Sequence, residues 1–142
     1  MSNVATILAR KGTSAVSVDA VTSVLEALRI MDERNIGSVV VKNGDDYLGI
    51  FTERDYSRKV ILKGKHSSET KVGEVMSENL PAVQPLDTLD HCMELMSCNN
   101  IKYLPVYEKG EMMGIISISD VIRETVIQQK EVISQLKTYI HG

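Results

Sequence analysis

Apolar positions in this chain change their period twice, in the same order each time. Val24, Leu28 and Met31 fall at i, i+4 and i+7, the spacing of one helix face, and predict an amphipathic helix over roughly 23–35. An apolar run over 38–42 follows, then Asn43-Gly44-Asp45-Asp46, then a second run over 47–51, together the pattern of a β-hairpin. Leu89, Met93 and Met96 restart the helical spacing, and runs over 103–107 and 112–116 around Gly110 restart the hairpin. Short extended segments, 15–18 and 82–84, precede the two helices, and a further helix begins near Glu53 and again near Ile118. Ser23 with Glu26, and Asp87 with Asp90, are the expected helix starts. Each half therefore predicts β-α-β-β-α.

The halves align at a constant offset of 65 residues, without a gap, from Val18/Val83 to Arg58/Arg123. Nine of those 41 pairs are identical, among them Met31/Met96, Asn35/Asn100, Gly49/Gly114 and Asp55/Asp120. Average composition alone gives roughly two or three, so the chain is read as an internal duplication. Val4, Ile7 and Leu8 predict a short opening helix or turn, and Val72, Val75 and Met76 repeat that spacing. One unit is too small to bury a good core alone. The expectation is an α+β fold in which two repeats, 1–66 and 67–142, pack through their sheets and leave clefts between them. Pro81 and Pro85 punctuate the junction, and Lys63–Thr70 is a polar linker. Beyond Asp120, Val126, Ile133, Leu136 and Ile140 lie near one face of a helix expected from about 119 to 139. That face covers the chain's own core or meets a partner helix, foremost that of a second copy.

The most informative repeat is Gly49-Ile50-Phe51-Thr52-Glu53-Arg54-Asp55, which returns as Gly114-Ile115-Ile116-Ser117-Ile118-Ser119-Asp120. It reads as a strand running into a helix, with Thr52 and Ser117 as N-caps and Asp55 and Asp120 at N3. A helix start can hold an anion, and a neighbouring carboxylate can accept from two sugar hydroxyls, a combination that suits a nucleotide. The competing reading is simple helix capping.

Composition narrows the function. A formal net charge of −3 gives no general attraction to nucleic acid or to an anionic membrane. No apolar run is long enough to span a bilayer, and Met1–Val4 lacks the features of a signal peptide, so a cytoplasmic location is expected. Cys92 and Cys98 sit on different faces of one helix, too far apart to bridge, and are expected to be small buried apolar residues. His66, His91 and His141 form no ligand pattern. No Walker loop, nucleophile–base set or metal cluster is visible, so the expectation is a protein without catalytic or metal-binding residues.

Taken together, the doubled β-α-β-β-α order, the strand entry Asn35–Val41, its counterpart Asn100–Val106 and both motif endings resemble the cystathionine-β-synthase (CBS) domain. The arrangement is similar to the tandem form called a Bateman module, with Thr52–Lys59 especially close. The resemblance implies a pseudo-twofold pair with an extended C-terminal helix, forming a homodimer and acting on an effector protein in trans. It implies a non-catalytic regulatory module that binds AMP, ADP, ATP or NAD, with S-adenosylmethionine ranked behind them and Mg²⁺ accompanying ATP. By matching position, Asp55 and Asp120 would hold ribose and Thr52 and Ser117 would meet phosphate. Val16 with Ile36, Gly37 and Ser38, and Val83 with Ile101, Lys102 and Tyr103, would frame the base. Which strand set serves which Asp stays open. Arg54 stands where the second motif has Ser119, while Arg58 and Arg123 match; the first site is thus the one expected to favour a longer phosphate chain. The alternatives are a structural dimerisation module with empty clefts and a weak nucleotide-processing enzyme.

Overall fold

The computed structural model describes residues 2–12 and 15–141. It contains both expected repeats, as a mixed α+β fold. The first comprises β1 (Ser17–Asp19), α2 (Val24–Arg34), β2 (Ser38–Asn43), β3 (Asp46–Thr52) and α3 (Glu53–Asp55), which runs directly into a π-helix, Tyr56–Ile61. The second comprises α5 (Leu89–Asn99), β4 (Tyr103–Glu108), β5 (Glu111–Ser117) and α6 (Ile118–His141). Helices α1 (Val4–Lys11) and α4 (Val72–Val75) lead the two repeats.

Equivalent residues do equivalent work. Strand β1 runs parallel to β2, which pairs antiparallel with β3. In the second repeat β4 pairs antiparallel with β5, and the counterpart of β1 is a single parallel bridge, Val83 to Val106. The hairpins break register at Val41/Lys42 and at Val106/Tyr107, which are matching positions. Asn35 and Asn100 close α2 and α5 in the left-handed conformation, at φ 53° and 52°. Asn tolerates that region better than most residues, which accounts for its presence at both places.

Three details differ from the sequence reading. The sheet-facing stripe of α5 is Leu89, Cys92 and Met96, with Met93 38% exposed, and in α2 Ala27 rather than Leu28 is fully buried. The smaller side chain takes the deeper position, because a helix can approach its sheet closely only over a small residue. Helix α5 starts at Thr88, whose side chain accepts from the His91 N–H, and not at Asp87, whose carboxylate accepts from the Gln84 N–H. Cys92 is buried as expected, whereas Cys98 is exposed.

The chain forms two compact units: Met1–Ser14 with Pro81–Gly142, and Ala15–Leu80. The core of the first holds Val4, Ile7 and Leu8 from α1 together with Leu104, Ile116 and Val121. That of the second holds Val72 and Val75 from α4 together with Val39, Val41 and Phe51. Each leading helix is therefore built into the unit that contains the other repeat.

Candidate functional site

Both motif residues sit where a hairpin strand becomes a helix, and both form a reciprocal capping box. The Asp55 N–H donates to Thr52 Oγ1 at 3.1 Å, and the Thr52 N–H donates to Asp55 Oδ2 at 3.0 Å. The Asp120 N–H donates to Ser117 Oγ at 3.1 Å, and the Ser117 N–H to Asp120 Oδ2 at 2.9 Å. Part of the expected anion-binding surface is already engaged, since the Glu53 N–H donates to Gly37 O and the Ile118 N–H to Lys102 O. Those bonds bring Gly37 beside Thr52 and Lys102 beside Ser117, and register places Ser38 opposite Thr52 and Tyr103 opposite Ser117.

The leading segments complete the two carboxylate environments. Ser77, just past α4, donates its hydroxyl to Asp55 Oδ1 at 2.7 Å, and Lys59 Nζ lies 3.0 Å from the same oxygen. With Thr52 donating both its N–H and its hydroxyl to Oδ2, Asp55 has four donors and is 4% exposed. A carboxylate offers about four lone-pair positions, so Asp55 is saturated. The approach of Ser77 depends on Gly49, where a Cβ would stand 2.5 Å from Ser77 O. On the other unit, Lys11 at the end of α1 places Nζ 2.7 Å from Asp120 Oδ2, and Arg123 reaches Oδ1 at 3.4 Å. Asp120 thus keeps room on Oδ1. Burial alone would raise its pKa, but the hydrogen bonds and charge of Lys11 and the donors of Ser117 outweigh that and hold the carboxyl below its ordinary range.

Beside this, Glu124 is 2% exposed and is held by Arg10 Nε at 2.6 Å and by the Ser2 hydroxyl at 3.2 Å. Glu124 stands at the repeat position of Lys59, so the two repeats carry opposite charges there. An open cleft of about 490 Å³ lies between α2 and the start of α3, lined by residues including Leu28, Asp32, Ile36, Gly37, Glu53 and Tyr56. Its charged residues are Asp32 and Glu53, which would repel a phosphate.

The CBS domain family model matches residues 4–61 and again 72–126. The chain belongs to the CBS-domain family. It is 41% identical over 125 residues to the mitochondrial CBS domain-containing protein CBSX3 of Arabidopsis thaliana, covering 84% of this chain and 61% of that one. The chain thus spans less than two thirds of that relative. Among solved structures, a putative signal-transduction protein with CBS domains from Burkholderia ambifaria superposes with a TM-score of 0.86 at 38% identity, covering 90% of this chain and 96% of that one. A hexameric CBS-CP12 protein from bloom-forming cyanobacteria matches with a TM-score of 0.73 at 26% identity, covering 85% of this chain and 66% of that one. Paired CBS domains are generally regulatory and ligand-binding, and their usual ligands contain adenosine.

Measured against the CBS pattern, the remaining residues divide. Val16 joins the sheet, its carbonyl accepting from the Val40 N–H, and Ile36 and Ile101 close their helices by donating to Met31 O and Met96 O. Val83 buries its side chain in the core and offers only backbone toward any ligand. Arg54, Arg58 and Ser119 are exposed. Sequence reasoning missed Lys11 and Ser77 as partners of the two aspartates. Both lie outside the aligned repeat, so no repeat signal marked them. Among the described residues no cluster of potential metal ligands occurs, and no helix is long and apolar enough to cross a membrane.

Proposed function

We propose that this chain is a non-catalytic sensor that binds an adenosine compound, AMP, ADP, ATP (with Mg²⁺) or NAD, with S-adenosylmethionine behind them, and acts on an effector in trans. The supporting observation is Asp120 Oδ1, whose one donor is the exposed Arg123 at 3.4 Å and which keeps a second acceptor position beside Ser117, Lys102 and Tyr103 within a CBS motif. Asp120 takes the ribose diol, Ser117 and Lys11 face phosphate, and Val83, Ile101, Lys102 and Tyr103 frame the base. The equivalent set is Asp55 with Thr52, Arg54 and Arg58, and with Val16, Ile36, Gly37 and Ser38. Ligand can enter there only if Ser77 or Lys59 releases the carboxylate, so the Asp120 site fills first. Lys11 also narrows the cationic advantage that Arg54 gives the first motif over Ser119.

A titration of wild type, Asp120→Asn and Asp55→Asn with AMP, ADP, ATP, NAD and S-adenosylmethionine tests this reading. A ligand at a hundredfold excess over its Kd stabilises the native state by about 2.7 kcal/mol, visible as a shift in Tm. Asp120→Asn is expected to lower affinity at least tenfold, and Asp55→Asn to act mainly on stability. An unchanged Tm across all five compounds favours the purely structural module, the reading to which the saturated Asp55 lends weight.

A further inference from the structure

Helix α6 carries two distinct faces. Val121, Glu124, Thr125 and Gln128 turn toward the body of their unit, where Glu124 and Gln128 bond to Ser2 and Arg10. A second stripe, Ile122, Val126, Gln129, Ile133, Leu136 and Ile140, is centred roughly 110° around the helix at 100° per residue. Its apolar members are exposed, from 41% at Val126 to 72% at Ile140, and every residue from 129 to 140 is exposed. The steps along this stripe are four, three, four, three and four, the heptad alternation kept through five successive intervals, where the sheet-facing stripes of α2 and α5 keep it for two.

We propose that this stripe is the seam of a parallel, in-register, two-stranded coiled coil with α6 of a second copy of this chain. Three features select that occupant. The positions equivalent to a are Val126, Ile133 and Ile140, all β-branched, and Leu136 stands at d, the combination that favours two parallel strands. Gln129 is the single polar seam residue, and a parallel, in-register pair sets it against its own counterpart, where each amide can donate to the other, while every apolar seam residue also meets its own kind. The flanking e positions are Arg123, Lys130 and Lys137, while the g positions are Thr125, Val132 and Tyr139. An antiparallel pair would set e against e and bring cations together. A parallel pair sets the lysines against Thr125 and Val132, whose apolar surface their methylene stems can cover. The seam spans under three heptads, short for a free peptide, but the first three turns of α6 are already held by the body and the helix need not nucleate.

Sedimentation equilibrium of the full chain, with and without Ile133→Glu/Leu136→Glu, tests the seam. The expected result is a dimer whose dissociation constant rises at least tenfold in the double variant while its Tm measured as a dilute monomer is unchanged. In a Cys98→Ser background, Gln129→Cys and Ile140→Cys are each expected to form a disulfide with the same residue of the second copy. These positions lie about 16 Å apart along the helix, so an antiparallel pair can match at most one of them. A monomeric wild type, association indifferent to the double variant, a trimer or tetramer, or self-crosslinking at only one position overturns the proposal. So does a monomer that sediments with vesicles of anionic phospholipid, since the basic flank would then serve a membrane surface.

Discussion

Asp120 and Lys11 lie 109 positions apart in sequence and 2.7 Å apart in space. Because the folded carboxyl titrates below its ordinary value, the contact contributes stability above about pH 4, the unfolded aspartate range. That contribution disappears as pH falls through the lowered folded value. Lys11→Met is therefore expected to be less stable than wild type at pH 7, with the difference closing on acidification; urea unfolding at a series of pH values measures it. A difference independent of pH would mean that Lys11 acts through its bond to the Ile115 carbonyl and not through Asp120. Cys92 differs in kind: burial, and then the charge of Asp87, push its thiol up to about 11, so it remains a neutral core residue at pH 7. Asp55 and Asp120 were legible as capping residues and as ligand candidates because Thr52 and Ser117 stand three positions before them. Their donors Ser77 and Lys11 were not legible, because contacts made by the exchanged leading segments leave no trace in local spacing.

At the level of elements, the hairpins and both amphipathic helices were readable from periodicity, and the left-handed caps from the Asn35/Asn100 identity. The start of α5 was misplaced at Asp87, although the 65-residue offset sets Thr88 opposite Ser23, and Ser23 caps α2 through the Glu26 N–H. The acidic pair drew attention because carboxylates suit a helix start, but Asp87 is spent on the Gln84 N–H one turn earlier. Thr88→Ala is expected to cost about 1 kcal/mol, the usual effect of a lost N-cap, and Thr88→Ser to restore most of it in chemical denaturation. Equal stability of the Ala and Ser variants would remove Thr88 from the cap. The replacement of a regular helix by a π-helix over Tyr56–Ile61 had no sequence signal that we can name. The Leu62 N–H donating to Ser57 O, five residues back, marks it.

The whole molecule is organised by the reciprocal placement of α1 and α4. We propose that 1–66 and 67–142 are the units of duplication, while Ala15–Leu80 is a unit of folding. A fragment ending at residue 66 lacks Val72 and Val75, which are 0% and 3% exposed in the intact chain. Fully burying one such side chain is worth about 1.5–3 kcal/mol, so losing two removes roughly 3–6 kcal/mol from a net stability that is about 5–15 kcal/mol for a whole domain. The same fragment carries Val4, Ile7 and Leu8 without the core that covers them, and Asp55 without the Ser77 hydroxyl. A fragment spanning 15–80 keeps the α4 contacts and that hydrogen bond. It is expected to unfold cooperatively in urea and to show dispersed amide resonances, whereas 1–66 should show neither. Cooperative unfolding of 1–66 with a midpoint equal to that of 15–80 would mean that α4 is an ornament of the unit and that each repeat closes its core unaided.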